Sequence, residues 1–319
     1  MQKILVARPI FPEVVHRLKA YFEVDWNDGP TLSPDELMRR LADKDGALTA
    51  GDMIGAAVFA AAPRLRVVAN MAVGYNNFDL AAFNAANVLA TNTPDVLNES
   101  TADFGWALMM AAARRITESE RWLREGQWQG WRHDGFLGVD IYGSTLGIIG
   151  MGRIGQALAR RARGFGMRVI YHNRSRVAPD IEAELAAEYR SKADLLGEAD
   201  HVVLVLPYTP ENHHTIGAPE LALMKHTATL TNIARGGIVD DAALAGALRE
   251  RRIAAAGLDV FEGEPRVHPA LLSVPNVVLT PHIASASETT RRAMANLAAD
   301  NLIAGLGVGP HAGQPPNPI

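Results

Sequence analysis

Apolar residues in the first hundred positions form short continuous runs that alternate with amphipathic stretches. Such runs, rich in Val, Ile, Leu and Ala, predict strands that are buried on both faces. We predict strands at Lys3–Ala7, Glu23–Trp26, Gly46–Thr49, Leu65–Asn70 and Val88–Thr91, with helices at Glu13–Tyr21, Pro34–Ala42 and Met53–Ala61. Ser33 is expected to cap the second of these helices, with Glu36 in its first turn. The alternation predicts a parallel sheet covered by helices.

The pattern changes in the middle of the chain. Ser100 and Asp103 resemble a capping box, and the apolar stripe that follows predicts one long helix ending at Gly126. The next segment, Gln127–Tyr142, lacks helical periodicity and is rich in aromatic residues. It is either a surface loop or an interface arm. Because aromatic side chains are enriched at partner surfaces, the composition favours the arm.

The strand–helix alternation resumes at Ser144 and predicts a second doubly wound unit with six strands. We predict these strands at Thr145–Ile149, Arg168–Tyr171, His201–Leu206, Ala228–Ile233, Ala254–Leu258 and Val277–Leu279, with helices that include Asp241–Arg251 and the Ala-rich Glu288–Leu306. The Gly/Pro-rich end, Gly307–Ile319, is predicted to be an extended tail.

A glycine-rich turn follows the first strand of this second unit. Gly150, Gly152 and Gly155 stand between the apolar run that ends at Ile149 and helix-forming residues from Gln156 onward. In this context the first glycine permits a tight turn, the second lets a pyrophosphate approach, and the third lets helix and strand pack closely. The helix N-terminus adds N–H groups and a positive dipole end for an anion. The spacing alone also fits a turn without a ligand, so the prediction of a dinucleotide site depends on the residues that follow.

The residues after the second strand of the unit indicate which dinucleotide is preferred. An NAD site has an acidic residue there that binds the ribose 2′-hydroxyl. This chain instead has Asn173, Arg174 and Ser175, followed by Arg176. An asparagine does not repel a 2′-phosphate and an arginine can hydrogen-bond it, so the sequence favours NADP(H), with NAD(H) still possible. The alternative is that both arginines are solvated charges on a turn.

Three polar residues follow later strands of the same unit: Arg235, Glu264 and His282. Parallel strands place these positions at the same sheet edge as the glycine turn. An arginine can bind a carboxylate or polarise a carbonyl, and a histidine can donate the proton that accompanies hydride addition. An acid can keep that imidazole charged and oriented. Each residue alone has a structural explanation, but together at one edge they predict the catalytic set of an oxidoreductase.

Composition and charge argue against several other classes of protein. The chain has 319 residues, 48% hydrophobic and 21% charged, and its net charge of −4 gives no support for a nucleic-acid or membrane-surface partner. No apolar run reaches the roughly 18 residues of a membrane span and no signal peptide is evident, so the cytoplasm is expected. The absence of cysteine excludes disulfides and a thiol nucleophile. No metal site is predicted, because the neighbours His213 and His214 point in opposite directions on an extended chain and no acid cluster accompanies them.

The motifs around these residues resemble those of the D-isomer-specific 2-hydroxyacid dehydrogenase family over nearly the whole chain. They are Val73–Asp79, Gly150–Gly155, Asn232–Asp240, Ala256–Pro265 and Pro281–Ser285. The subgroup that the chain most resembles is the glyoxylate/hydroxypyruvate reductases and 2-ketogluconate reductases. The resemblance implies an α/β protein with two doubly wound parallel-sheet domains. A flavodoxin-like substrate domain would comprise residues 1–98 plus 286–319, with a Rossmann NADP-binding domain at 99–285 inserted in it.

The resemblance also implies roles for individual residues. The backbone at Val73 and Gly74 would bind the substrate carboxylate together with Arg235, and Asp259 would meet the nicotinamide carboxamide. With the residues named above, the expected cofactor contacts are Thr101, Gly150, Gly152, Arg153, Ile154, Gly155, Asn173, Arg174, Ser175, Leu206, Pro207, Ile233, Ala234, Asp259, His282 and Ala284. Family members are usually homodimers joined through the cofactor domain and the arm, and either Trp131 or Trp128 is expected to enter the partner's active site.

The expected activity is NADPH-dependent reduction of a small 2-oxo acid to the D-2-hydroxy acid, with His282 as proton donor. Glyoxylate, hydroxypyruvate and 2-ketogluconate are the candidate substrates, and the sequence does not rank them. Two alternatives stay open. One is a cofactor-binding sensor such as the transcriptional corepressors that share this fold, and the other is NAD-dependent oxidation of D-2-hydroxy acids. The intact Arg–Glu–His set weighs against the sensor.

Overall fold

The computed structural model describes residues 1–319 and divides them into two compact units. The first unit comprises Met1–Leu97 and Ala286–Ile319, and the second comprises Asn98–Ser285. Each unit contains one parallel sheet flanked by helices, so the predicted α/β fold class is confirmed. The helices include no segment with the length and hydropathy that a bilayer span requires.

The sheet of the first unit has five strands in the order β2-β1-β3-β4-β5, which is the flavodoxin-like order. The strands are β1 Lys3–Val6, β2 Glu23–Trp26, β3 Gly46–Thr49, β4 Val67–Asn70 and β5 Leu89–Thr91. The helices are α1 Pro12–Lys19, α2 Pro34–Leu41, α3 Ala56–Ala61, α4 Leu80–Ala86 and a C-terminal helix, Glu288–Gly305.

Alternate residues of β1 enter two hydrophobic clusters, as expected for a strand that is buried on both faces. Ile4 and Val6 pack with Leu302 of the C-terminal helix, whereas Leu5 packs with Leu41 of α2. The tail after the C-terminal helix contains turns, and the N–H of Ile319 donates to the carbonyl of Ala90 in β5 (3.0 Å). The chain end is therefore fixed beside the edge strand of this sheet.

Two helix starts in the first unit show what local sequence reasoning found and what it missed. The prediction that Ser33 caps α2 is confirmed, because its Oγ accepts from the N–H of Glu36 (3.2 Å). Helix α4 was not predicted, although Asp79 caps it by accepting from the N–H of Ala82 (3.1 Å) and Asn87 ends it with a φ of 53°. Both residues are common at helix ends, so the signal for α4 was present in the sequence.

The sheet of the second unit has seven parallel strands in the order β12-β11-β10-β9-β6-β7-β8. The strands are β6 Thr145–Ile149, β7 Arg168–His172, β8 Ala187–Tyr189, β9 His201–Leu204, β10 Thr229–Asn232, β11 Ala255–Leu258 and β12 Val277–Leu279. The helices are α5 Asn98–Ala113, α6 Ile116–Arg124, α7 Arg153–Ala162, α8 Pro179–Leu185, α9 Lys192–Glu198, α10 Ala218–Leu223, α11 Asp241–Arg249 and α12 Pro269–Ser273. The strand order reverses between β6 and β9, and doubly wound sheets bind ligands in the crevice outside the carboxyl ends at that point.

The prediction of six strands in this unit missed β8, which forms one edge of the sheet. It is only three residues long, and its central residue is charged. That residue, Glu188, forms ion pairs with Arg168 (3.0 Å) and Arg190 (2.6 Å). A strand so short and polar has no hydrophobic pattern by which the sequence could reveal it.

The single long helix predicted to end at Gly126 is two helices, and that prediction is wrong. Helix α5 begins at Asn98, ahead of the predicted cap, and Arg115 adopts a φ of 53° between α5 and α6. The carbonyl of Ala113, at the end of α5, accepts from the N–H of Val139 in the following segment (3.0 Å). The Val139 N–H thus hydrogen-bonds to a carbonyl that, in a continuous helix, would accept from an N–H of the same helix.

We expect Gly257→Ala to destabilise the protein by about 1–3 kcal/mol, because β11 and α5 leave no room for a methyl group. A Cβ on Gly257 would lie 2.7 Å from Leu108 Cγ and 3.1 Å from the Leu108 carbonyl oxygen. Urea unfolding measures the change. The control is Gly246→Ala in α11, where a Cβ meets nothing within 4 Å. The free energy of unfolding of that variant is expected to rise by about 0.5–1 kcal/mol, because alanine has a higher helix propensity than glycine. Equal stabilities of the two variants would contradict the packing argument.

Candidate active site

The glycine turn between β6 and α7 has the shape of a pyrophosphate cradle. Gly150 has a φ of 108°, and a Cβ there would lie 2.7 Å from the Val205 carbonyl carbon. A Cβ on Gly155 would lie 2.2 Å from the Gly150 oxygen, so α7 can approach the turn only without one. Around Gly152 the space is open within 4 Å, and no side chain caps the start of α7. The three positions therefore fit a dinucleotide: two glycines allow the packing and the third leaves room for the phosphates.

The other predicted cofactor contacts lie along the carboxyl edge of the same sheet. Arg153 and Ile154 form the first turn of α7, and Thr101 lies on α5 with a buried hydroxyl that has no hydrogen-bond partner. The remaining positions follow β9, β10, β11 and β12 in turn: Leu206, Pro207, Ile233, Ala234, Asp259, His282 and Ala284. An unsatisfied buried hydroxyl at this edge is consistent with a missing polar ligand.

The turn after β7, predicted to bind the cofactor ribose, is tied to the glycine turn. The Asn173 side-chain oxygen accepts from the N–H of Met151 (2.7 Å). Arg176 is held by Glu182 through two hydrogen bonds (2.7 and 2.6 Å), and this pairing contributes to lowering the pKa of Glu182 to about 2. Arg174 is exposed. Of the two arginines that could bind a 2′-phosphate, Arg176 is already paired with a carboxylate.

The structure brings His282 and Glu264 into direct contact. His282 Nδ1 lies 2.8 Å from Glu264 Oε2. Because an ionised carboxylate only accepts hydrogen bonds, Nδ1 must be the donor, which leaves Nε2 for another partner. Partial burial opposes ionisation of Glu264, but the hydrogen bonds from His282 and from the N–H of Phe261 (3.0 Å) outweigh it. The pKa of Glu264 therefore lies below its ordinary value, and its negative charge is available to stabilise an imidazolium.

Arg235 follows β10 and is partly buried beside the acid. Its Nη1 donates to the Ala234 carbonyl (2.7 Å), and the side-chain amide of Asn232 donates to the Arg235 carbonyl (3.1 Å). Burial lowers the pKa of the Arg235 guanidinium, while the Glu264 carboxylate acts in the opposite direction. An arginine stays charged despite such a shift, so the site holds a fixed positive group next to the carboxylate–imidazole pair.

Asp259, at the end of β11, holds the turn that carries His282. Its fully buried carboxylate accepts from the Thr280 hydroxyl (2.7 Å) and from the N–H groups of Ile283 and Ala284 (2.8 Å each). The N–H of His282 donates to the Asp259 carbonyl (2.8 Å), and His282 has a φ of 54°. Left-handed backbone is uncommon for a residue other than glycine and requires such support. The sequence assigned Asp259 only to the cofactor, and this positioning contact was missed.

Val73 and Gly74, the predicted substrate carboxylate site, lie in the first unit after β4. The side-chain amide of Asn92 donates to the Val73 carbonyl (2.8 Å), and that of Asn70 donates to the Gly74 carbonyl (2.9 Å). In a trans peptide the N–H points away from the carbonyl. The two amides thus orient the peptide planes of this loop and turn the N–H groups of Gly74 and Tyr75 to the opposite side.

The sequence predicted no metal site at His213 and His214 because their side chains were expected to point in opposite directions. The structure does not have that geometry. The two neighbouring rings do not point apart: their centroids are 3.8 Å apart and their planes are inclined by 22°. His214 has a φ of 50°, which places both rings on the same side. Glu262, 48 residues further along the chain, lies 2.9 Å from His214 Nε2. Local sequence reasoning could find neither the backbone conformation nor the distant acid.

Comparisons with known proteins support the fold and show the family of the chain. The family model "D-isomer specific 2-hydroxyacid dehydrogenase, NAD binding domain" matches residues 106–284. A glyoxylate reductase of Thermococcus onnurineus is 50% identical over 308 residues, covering 95% of this chain and 92% of the relative. A protein of solved structure from Thermus thermophilus is 41% identical with a TM-score of 0.92, and the alignment covers 100% of both chains. An NADPH-dependent glyoxylate/hydroxypyruvate reductase from Sinorhizobium meliloti, solved with NADP and malonate, is 36% identical with a TM-score of 0.86, covering 100% of this chain and 96% of that one.

Proposed function

This chain belongs to the D-isomer specific 2-hydroxyacid dehydrogenase family, and we propose that it reduces a small 2-oxo acid to the D-2-hydroxy acid with NADPH. Glyoxylate, hydroxypyruvate and 2-ketogluconate are the proposed substrates. Glyoxylate is supported by the names of the relatives, and hydroxypyruvate by that of one solved structure. The proposed direction is reduction rather than NAD-dependent oxidation.

The observation that carries the proposal is the 2.8 Å contact between His282 Nδ1 and Glu264 Oε2 at the cofactor edge of the sheet. A bound nicotinamide supplies the hydride. His282, protonated on both nitrogens, gives Glu264 one hydrogen bond and donates its Nε2 proton to the substrate oxygen as the carbonyl is reduced. Glu264 stabilises the imidazolium before the transfer and fixes its orientation.

Binding of the substrate carboxylate is assigned to Arg235 and to the backbone N–H groups of the Val73–Gly74 loop. A guanidinium can form two parallel hydrogen bonds to a carboxylate, and backbone N–H groups add neutral donors. Support for the loop comes from its two braced carbonyls, which hold the peptide planes in one orientation.

We further propose that the chain acts as a homodimer through the aromatic arm, residues 127–142. Trp128 is 59% exposed, Trp131 79% and Tyr142 80%. Large aromatic side chains so exposed are typical of surfaces that a partner covers. Either tryptophan is a candidate to reach the partner's active site.

The experiment that tests the function is an NADPH oxidation assay with glyoxylate, hydroxypyruvate and 2-ketogluconate. Turnover is expected for at least one substrate, and binding of NADPH without turnover would favour the sensor alternative. We expect His282→Ala to lose about 100- to 10,000-fold in kcat, because the proton donor is gone, while the Kd for NADPH stays within about threefold. The exposed His226 serves as control, since His226→Ala should retain full activity. A His282→Ala variant with more than a tenth of the rate would exclude the assigned donor.

We expect Glu264→Gln to move the high-pH loss of reduction downward by about one pH unit or more. The pKa of Glu264 is lowered, so its carboxylate is ionised at neutral and alkaline pH and favours the protonated imidazole. A neutral amide removes that attraction. Reduction should fail earlier as pH rises, whereas oxidation of the D-2-hydroxy acid, which needs the neutral imidazole, should persist to lower pH. The measurement is kcat/KM against pH in both directions, and coincident wild-type and variant profiles would contradict the role.

We expect Asn173→Asp combined with Arg174→Ala to lower the ratio of kcat/KM for NADPH to that for NADH at least tenfold. The new carboxylate retains an oxygen for the N–H of Met151, repels a 2′-phosphate and accepts from a ribose 2′-hydroxyl. Arg176→Ala is the matched control, because Arg176 is paired with Glu182 and its loss should change the ratio by less than about threefold. Unchanged KM values for both cofactors in the double variant would defeat the assignment of NADP to this turn.

A further inference from the structure

His213, His214 and Glu262 form a second cluster of ionisable side chains, separate from the His282–Glu264 pair. One ligand atom from each of the three lies within 4.8 Å of the other two. His214 Nε2 is 2.9 Å from Glu262 Oε2, and His213 Nε2 is 3.9 Å from Glu262 Oε1. The proposed function gives these residues no part in binding or catalysis. All three side chains are between 35% and 45% exposed, so solvent ions can reach them.

The outer nitrogens of both imidazoles face oxygen atoms that can hold them. His213 Nδ1 lies 3.3 Å from the Tyr208 hydroxyl, and His214 Nδ1 lies 3.9 Å from an Asp240 carboxylate oxygen. Metal-binding histidines commonly use one ring nitrogen for the ion and give the other N–H to a carboxylate, carbonyl or hydroxyl partner. Here the Tyr208 hydroxyl lies at hydrogen-bond distance from His213 Nδ1, the Asp240 carboxylate lies at ion-pair distance from His214 Nδ1, and both Nε2 atoms face the same acid, Glu262.

The backbone is held in the conformation that creates this arrangement. The N–H of His214 donates to the carbonyl of Gly237 (2.7 Å), which secures the left-handed φ of 50°. Gly237 itself has a φ of 77°, and a Cβ there would lie 3.1 Å from the Tyr208 ring and 3.3 Å from His213 Nδ1. A side chain at Gly237 would press on the histidine and its hydroxyl partner. An uncommon conformation at a residue other than glycine, supported by tertiary contacts, is a reason to look for function.

We propose that His213, His214 and Glu262 bind a divalent transition-metal ion of the zinc type, with Tyr208 and Asp240 orienting the two imidazoles. Two imidazole nitrogens and one carboxylate oxygen are a ligand set that Zn²⁺ accepts, with water completing the coordination. Tetrahedral bonds of about 2.1 Å place ligand atoms about 3.4 Å apart, a value between the 2.9 Å and 3.9 Å that separate the two Nε2 atoms from oxygens of Glu262. The two rings are stacked with their centroids 3.8 Å apart, so they would rotate out of this stack for both Nε2 atoms to reach one ion.

The ion would join three loops at the carboxyl edge of the sheet. His213 and His214 follow β9, their anchor Gly237 follows β10, and Glu262 follows β11. Arg235 lies two positions before Gly237, and Glu264 two positions after Glu262. Metal binding therefore braces the loops that carry the catalytic set, and it should stabilise the folded protein, since only the folded chain brings the three ligands together.

The test is a titration of the full-length protein, freed of metal with chelator, with Co²⁺ followed by visible absorption and with Zn²⁺ followed by calorimetry. We expect one equivalent of either ion per chain and a Zn²⁺-dependent rise in the thermal midpoint. The variant His213→Ala with His214→Asn should bind at least 100-fold more weakly, and the asparagine retains a residue that tolerates the left-handed backbone. Glu262→Gln should weaken binding at least tenfold. Asp240→Asn keeps the cap of α11 and should weaken binding about tenfold.

Two variants separate this cluster from other histidines. His16→Ala removes an exposed histidine of the first unit, and His282→Ala removes the only histidine paired with Glu264. Both should bind one equivalent with wild-type affinity and show the same thermal shift. The proposal is overturned if the wild-type protein binds no Zn²⁺ at millimolar concentration, if the double histidine variant binds as the wild type does, or if His282→Ala abolishes binding.

Discussion

The common direction of the seven strands in the second unit is the constraint on which the candidate site depends. Parallel strands end at one edge, so residues that are far apart in sequence arrive there together without any other device. Arg235, Glu264 and His282 belong to loops after three successive strands of this sheet, and the glycine turn follows a fourth. A single antiparallel strand among them would send its loop to the opposite edge. The position of the candidate site therefore follows from the parallel direction of these strands.

Strand direction alone brings the loops together, and close contacts between them fix the side chains. Gly236 has no room for a Cβ, because the Phe261 carbonyl oxygen would lie 1.7 Å from it. The loop that carries Arg235 therefore packs directly on the loop that carries Glu264. The next pair of loops is joined by the buried carboxylate of Asp259, which accepts from the turn around His282. The loops that carry Arg235, Glu264 and His282 are therefore held together by backbone packing and by the buried carboxylate of Asp259.

Patterns confined to one stretch of chain could be predicted, and contacts between distant stretches could not. Most of the strands are largely apolar runs, and the glycine turn lies between a strand and a helix, so both are visible locally. The break at Arg115 depends on a hydrogen bond from Val139 to Ala113, and the stacking of His213 on His214 depends on the bond to Gly237. The left-handed backbone at Arg115 and His214 has no local signature in the sequence. The sequence therefore predicted which residues reach the sheet edge, and it missed the contacts that orient them.

The edges of the seven-stranded sheet limit how the second unit can meet another protein. Both outer strands, β8 and β12, are only three residues long, and β8 carries Glu188 between two arginines. Short, charged outer strands are poor templates for the backbone pairing by which sheets fuse across molecules or grow into fibrils. Side-chain packing is then the favoured mode of any self-association of this unit. Folded copies therefore offer one another few unpaired backbone groups at either edge, and edge-to-edge extension of this sheet into a longer one is disfavoured.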